Sequence, residues 1–416
     1  MIEPGCESSP MFPQEIIDLV IDQLQVSPFT LKSCSLVSRR WTARSQRYLF
    51  ARVVIRSDRL RHWCWNITPG PTGVSPYTTH LSLSASANHF DDEAWFEPHQ
   101  LAHASDHLNS FTNVHTLDII RWKFLDEETY AAPFTQIALT VRTLRITAPI
   151  LDSSAFLAFA TFFNRADSIY ISHPRVMTEE FVTPDPIPIP GTIIHWTSLH
   201  LLDLSNTGLP LLNGIAQLPL RITNLSVGLP PPSYHSNFFT ALLQACSETL
   251  QALQLCRSTG GKAQPLKYPY QPTDSRVIKD FLSVGQTPRP LLLPPLPRLR
   301  SIQFCALLNV GWLHAETLLS ITSKHISIVT VEMQYLLDPA ILGNVIDWDA
   351  VDRALRVLEI QSQLQRTSEM VIRFRSLTYE WKEEVSRLKT STGWLPRFEQ
   401  VGVVEIVSDE DSYVCG

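Results

Sequence analysis

FPQEIIDLVIDQLQVSPFTLKSCSLVSRRWTARSQRYLF, residues Phe12 to Phe50, carries three helical patterns in succession. Pro13 stands where a first helical turn begins, a position at which its missing N–H removes no hydrogen bond. Ile16, Ile17, Val20, Ile21 and Leu24 recur at helical spacing, with Glu15, Asp18, Asp22 and Gln25 on the other side. Ser27 and Pro28 end that helix and start a second. Leu31, Cys34, Val37 and Trp41 extend an apolar stripe through the second helix into a third, and Leu49 and Phe50 close the unit. Roughly 40 residues without a cysteine pair are too few for an independent core. The pattern predicts a helical docking module whose apolar face belongs partly to a partner or to the rest of this chain. Periodicity does not choose between the two.

Those residues resemble an F-box. The family pattern is Leu-Pro-x-Glu, then Ile and Leu at helical spacing, then Cys/Ser-x-x-Val-x-x-x-Trp, then Leu-Trp or Leu-Phe. Pro13, Glu15, Ile16, Ile17, Ile21, Leu24, Leu31, Cys34, Val37, Trp41, Leu49 and Phe50 occupy those positions, with Phe12 where Leu is usual. The wording is most similar to F-box proteins of mushroom-forming fungi. The resemblance implies that the helices dock on the Skp-type linker of a Skp–cullin–F-box ubiquitin ligase, through Pro13, Ile16, Ile17, Leu24, Leu31, Val37 and Trp41. Ile16, Ile17, Leu24, Leu31 and Val37 would each contribute about 1.5–3 kcal/mol if fully buried. Trp41 is equally suited to knitting the module internally, since aromatic anchors serve cores as well as interfaces.

Beyond the module one pattern recurs, apolar-x-x-apolar-x-apolar, the strand portion of a leucine-rich repeat. It is found at Val114-x-x-Leu117-x-Ile119, Val141-x-x-Leu144-x-Ile146, Leu199-x-x-Leu202-x-Leu204 and Ile222-x-x-Leu225-x-Val227. It returns at Leu250-x-x-Leu253-x-Leu255, Leu299-x-x-Ile302-x-Phe304 and Ile326-x-x-Val329-x-Val331. Weaker copies lie at Leu81-x-Leu83, Ile169-x-Ile171 and Phe398-x-x-Val401-x-Val403. Several steps between middle positions are 23 to 28 residues, inside the leucine-rich range of about 20–29. LHLLDLSNTGLPLL resembles the LxxLDLS wording of that family outright, with Thr207 where Asn or Cys is usual.

Helical patterns lie between the strands, at Asp92–Asn109, Ser153–Asn164, Ser236–Cys246, Ser275–Val284 and Trp312–Lys324, and a charged helical region is expected over Asp349–Thr390. Strand alternating with helix predicts an α/β fold: a three-helix F-box followed by an irregular leucine-rich-repeat-like solenoid, parallel strands on its concave side and helices outside. The expected organisation is a leader over 1–11, the F-box over 12–52, the repeat domain over 53–407 and an acidic tail over 408–416. Proline-rich loops at Thr183–Pro190, Leu229–Ser233 and Thr287–Pro297 are read as rigid insertions. The third is also compatible with an SH3 or WW ligand, but it lacks the basic residue of a full Arg-x-x-Pro-x-x-Pro match.

Composition bounds the rest. The 416 residues are 44% hydrophobic and 18% charged, which is globular. Thirty prolines against fifteen glycines point to ordered loops with few positive-φ turns. Net charge is −6, so nothing global argues for nucleic acid. Locally, Lys32 to Arg61 holds nine basic residues and the single acid Asp58, a patch suited to phosphates or to an acidic protein, or simply to a solvated helix face. The seven cysteines are scattered without a CxxC, which predicts reduced thiols in cytoplasm or nucleus. No signal peptide, membrane span or prenylation motif is expected.

For chemistry the sharpest candidate is the row His99, His103, His107, spaced i, i+4, i+8 on one helical face. No Glu follows His99 to complete a metalloprotease pattern, and the third histidine is two turns away. No GxSxG, Walker loop, GxGxxG or kinase set is present, and Gly260-Gly261-Lys262 lacks the preceding glycine of a phosphate loop. No catalytic residue, metal site or cofactor is therefore assigned.

The reading is a non-enzymatic substrate adaptor. Its expected partners are a Skp-type linker, through it a cullin, and a protein substrate, the chain being a monomer within that complex and binding neither nucleic acid nor membrane. Outward residues between paired apolar strand positions are the expected substrate contacts: Asp118, Arg145, Tyr170, Asp203, Ser226, Gln254, Gln303 and Thr330. The alternatives are a scaffold that uses the F-box outside a ligase and, third, a metal-dependent hydrolase built on the histidine row.

Overall fold

The structure, a computed structural model, describes residues 12–60, 73–85, 104–124, 131–151, 153–176, 196–202, 204, 209–229, 237–257, 290–306, 315–334, 348–361, 370–376 and 402–408. The chain packs as two units, Met1–Ile146 and Thr147–Gly416.

The first unit opens with α1 (Gln14–Gln23), α2 (Pro28–Val37) and α3 (Arg39–Leu49). Pro13 caps α1: its carbonyl accepts the N–H groups of Ile16 and Ile17 at 3.2 and 3.3 Å. Pro28 begins α2 at a position that tolerates a missing donor. Ser38 alone separates α2 from α3; its extended φ and ψ of −163° and 165° break the helix and turn the chain back. Ile17, Ile21 and Leu31 form the module's core, with Leu24, Trp41, Tyr48 and Leu49 packed against them. Strands β1 (Arg52–Arg56), β2 (His80–Ser84), β3 (Thr116–Ile120), the two-residue β4 (Lys123–Phe124) and β5 (Thr143–Thr147) follow. β1, β2 and β3 pair in parallel, and β5 lies beside β3.

The second unit continues with β6 (Ile150–Leu151), β7 (Ser168–Ser172), β8 (Arg175–Val176), β9 (Ser198–Leu202), β10 (Asn224–Leu229), β11 (Ala252–Arg257), β12 (Ser301–Ala306), β13 (Ile328–Gln334), β14 (Met370–Ser376) and β15 (Gly402–Ser408). From β7 onward, with the short β8 set aside, each strand pairs in parallel with its successor. β6 and β8 pair in parallel outside the large sheet, in a small sheet of order β4-β6-β8. Parallel order demands a crossover at each step, and helices supply it at Ser153–Phe162, Leu209–Ala216 and Asn237–Cys246. Phe239, Leu242, Leu243 and Cys246 of the last are buried, as are strand residues Leu199, Leu201, Leu225, Val227, Leu253, Leu255, Ile302 and Phe304. The result is an α/β chain with a large parallel sheet, consistent with a leucine-rich-repeat-like solenoid.

The repeat is also visible in the backbone. In the first unit the carbonyl before each strand accepts two N–H groups from the start of the next: Ala51 from Thr79 and His80, Thr79 from His115 and Thr116, His115 from Arg142 and Thr143. In the second unit Thr197, Thr223, Gln251 and Arg300 do the same. A second recurrence is a turn without glycine. Arg121, Ala148 and His173 directly follow β3, β5 and β7 with φ of 56°, 49° and 52°, in the left-handed region that costs a residue with a Cβ.

Several expectations need correction. The strand near Leu202 lies three residues earlier than its wording suggests. Register pairs Leu199 with Leu225, so the repeat reads Trp196-x-x-Leu199-x-Leu201 and His200 is its outward residue. Near the end, Val404 and Ile406 share the register of Val331 and Met333, one residue off the Val401/Val403 frame. The helix expected over Asp349–Thr390 is Trp348–Gln361 and is followed by strand β14. There the alternation Val371, Arg373, Arg375 against Ile372 and Phe374 overrides the charged composition of its surroundings. The helix expected over Trp312–Lys324 spans Ala315–Leu319. Of the third proline loop, residues 290–297 are described. Leu291, Leu293 and Leu296 are buried, and the N–H groups of Leu291 and Leu293 donate to Thr317 Oγ1 and Ser320 Oγ at 3.0 Å each. That segment is spent on packing, as a rigid insertion is. The leader, the first proline loop, the helix Ser275–Val284, and the tail beyond Ser408 lie outside the described residues, as does most of Asp92–Asn109 apart from Ser105–Asn109.

Candidate functional site

The three-helix module uses one apolar stripe inwardly and leaves a second uncovered. On α1, Ile17 and Ile21 enter the core, while Ile16 is 45% exposed and Leu19 and Val20 are exposed beside it. On α2, Leu31 and Cys34 turn inward, whereas Phe29, Leu36 and Val37 are 88%, 79% and 65% exposed. Among the residues expected to meet the linker, Ile17 and Leu31 therefore lie in the module's own core. Leu24 and Trp41 are partly buried against it, and Pro13, Ile16 and Val37 are on the surface. Phe29, Leu36 and Leu19 were not singled out by sequence. The spacing of Phe29, Leu36 and Val37 at i, i+7 and i+8 is the signal that marks this outer stripe.

Charged groups lock the module from outside its core. Arg44 reaches from α3 to Asp22 on α1 with two bonds of 2.7 Å, and Tyr48 Oη donates to Asp22 Oδ1 at 2.8 Å. The Arg44 guanidinium, then the Tyr48 hydroxyl, hold the Asp22 carboxyl below its usual range. The same bond to Asp22 raises the Tyr48 phenol.

The outward strand faces carry mostly polar side chains, with Val54 of β1 and Ile328 of β13 as exposed apolar residues among them. In the first unit His80 Nε2 meets Asp118 Oδ2 at 2.6 Å, and Ser82 sits directly opposite Asp118 in the ladder. Asp118 and Ser82 are buried, Asp118 Oδ1 has no partner among the described residues, and Arg145 is exposed. In the second unit one row runs Tyr170, His200, Ser226, Gln254, Gln303, Thr330 across successive strands. Tyr170 and His200 stack with centroids 4.2 Å apart and planes 2° from parallel. Burial pushes the His200 imidazole below its usual value, which favours the neutral ring. Ser226 and Thr330 are buried, and Gln254 and Gln303 are half-buried. The substrate contacts expected in this row are thus brought side by side, except that His200 stands where Asp203 was expected; Asp203 lies outside the described residues.

His99 and His103 also lie outside the described residues, and His107 Nδ1 is buried without a partner among them. No group of three His, Cys, Asp or Glu side chains able to hold an ion occurs among the described residues. Nor, among those residues, is any helix long and apolar enough to cross a membrane.

No family model matches the chain. No curated protein matches it in sequence either. Among solved structures it is similar to the Rad7 and Elc1 complex in yeast, at 12% identity over 96% of this chain and 94% of that one, with a TM-score of 0.31. Unlike folds also reach a score of that size, so it assigns neither fold nor function. What the geometry offers is binding surface: an uncovered apolar helix face in one place and a row of hydrogen-bonding side chains in another.

Proposed function

We propose that this chain is an F-box-type substrate adaptor of a Skp–cullin–F-box ubiquitin ligase. The three helices dock on a Skp-type linker, and the strand face of the repeat domain, a leucine-rich-repeat-like solenoid, holds a protein substrate. The chain performs no chemistry of its own. It raises the effective concentration of substrate beside the conjugating enzyme, which is how a bridge accelerates a reaction.

The observation that carries this reading is the exposure of Phe29, Leu36 and Val37 on a module whose core is already closed by Ile17, Ile21 and Leu31. Large apolar side chains grouped at the surface mark an interaction site. The buried, reduced thiols of Cys34 and Cys246 fit a cytoplasmic or nuclear setting. The same exposed face would serve a scaffold that uses its F-box outside a ligase. Recovery of a cullin together with the linker, when the full chain is purified from cells, separates the two. A linker–cullin assembly supports the adaptor, and a linker complex without cullin supports the scaffold. A hydrolase built on the histidine row requires stoichiometric metal in the purified chain, and metal analysis tests it directly.

A further inference from the structure

Helix α3 opens with Arg39 and Arg40 and has no acidic residue in its first turn. A cation at that end faces the positive pole of the helix dipole and destabilises the helix. Arg40 has compensating bonds: its Nε donates to Gln14 Oε1 at 3.0 Å and its Nη1 to the Phe12 carbonyl at 3.2 Å. The Arg39 guanidinium is exposed and has no hydrogen bond or ion pair among the described residues. The ammonium of Lys32, exposed on α2, has none either, although its carbonyl accepts a bond from Ser35 Oγ. Lys32 is one helical turn from both Phe29 and Leu36 on α2, and Arg39 follows Val37 across the single residue Ser38. Neither α2 nor α3 contains an acidic residue that could answer them. On α1, Asp22 is engaged by Arg44, Asp18 accepts from Gln14, and the exposed Glu15 of the first turn pairs with neither cation among the described residues. The placement runs against the net charge of −6 for the whole chain. A charge held where its own helix disfavours it, beside an uncovered apolar strip, is a local conflict of the kind found at functional surfaces.

We propose that the surface covering the α2 face carries carboxylates beside its apolar patch, and that Arg39 and Lys32 pair with them in the complex. This rests on the docking reading above and names the chemistry of the partner. The exposed Leu36 and Val37 stand between the two cations in sequence, and apolar groups beside the charges suit a protein surface better than a phosphate backbone. The pairing favours fast, salt-sensitive association and fixes the register of the docked helices.

The test measures affinity of the full chain for a Skp-type linker protein at low and high salt, with thermal midpoints of the free chain alongside. Arg39→Gln should weaken binding about fivefold and flatten its salt dependence, and yet raise the thermal midpoint, because the helix end loses an unfavourable charge. A residue with only a structural role would not move the two readouts in opposite directions. Arg47→Gln is the control: Arg47 lies in the last turn of α3, where a cation is favourable, so its loss should lower the midpoint and leave affinity unchanged. Linker binding whose affinity and salt dependence are unchanged in an Arg39→Gln/Lys32→Gln double variant would overturn the pairing and leave the docking reading intact. Arg39-dependent binding to an RNA or DNA duplex instead of the linker would assign the cations to phosphate and overturn it as well. A wild-type chain that binds no linker at all would remove the docking reading itself, and this inference with it.

Discussion

Arg44 on α3 donates from Nε and Nη2 to the two carboxylate oxygens of Asp22 on α1, each at 2.7 Å, and so clasps the first and third helices. The arrangement is bidentate, the geometry in which guanidinium and carboxylate fit best. Because the pair holds the Asp22 carboxyl below its usual 3.8, its contribution to stability is complete above that value and is lost as pH falls through the lowered one. Denaturant midpoints of wild type and Asp22→Asn should therefore differ most near neutrality and converge in acid below 3.8. A difference that stays constant across that range would show the clasp to be idle. Arg44→Lys should behave more like the loss of the clasp than its retention, since an ammonium cannot span both oxygens.

The turns after β3, β5 and β7 hold Arg121, Ala148 and His173 at positive φ. Glycine relieves that strain, offset in part by its larger freedom when unfolded. Ala148→Gly and His173→Gly should each stabilise the second unit by about 1 kcal/mol, read as a shift of the denaturant midpoint without change of slope. Destabilisation by both would mean that the left-handed turn is not formed.

Burial pushes the Cys246 thiol up to about 12. Since the thiolate is the reactive form, Cys246 should resist alkylation in the native chain at neutral pH and react only on unfolding, whereas the half-buried Cys256 should be modified first of the two. Mass spectrometry after brief iodoacetamide treatment reads both.

Much of the fold was legible because buried strands impose a period. Leu117, Leu144, Ile169, Leu225, Leu253, Ile302 and Val329 are all buried strand residues, and spacing alone picks them out. The frame slipped where wording overrode spacing. Leu199, Leu201, Leu202 and Leu204 offer two frames, and the LDLS wording selected the later one, which hid His200 and its stack on Tyr170. Strand β14 is hidden in the sequence because arginines alternate with its apolar residues inside a charged stretch. The left-handed turns could not be read, since no glycine marks them. In the three-helix module, periodicity placed the helices but could not assign their faces. Ile16 and Ile17, or Leu31 and Val37, are equally apolar, and only packing decides which of each pair is spent inside. That is why an Ile17 substitution would test folding and a Phe29 substitution tests docking.

The difference matters for stability as well. Ile21→Ala, in the core, should cost about 2–5 kcal/mol, and Leu36→Ala, on the surface, less than about 0.5 kcal/mol. Thermal or denaturant unfolding of the two variants checks the assignment of faces before any partner is added.

The most direct measurement is co-expression of the full chain with a Skp-type linker protein, followed by size exclusion, for wild type and for Phe29→Asp/Leu36→Asp. The double variant should fold as the wild type does, because neither side chain belongs to the core. A one-to-one complex formed by wild type and lost in the variant is the predicted result. A folded wild-type chain that elutes alone, or a complex that survives both substitutions, would contradict the claim that this helix face is the docking surface.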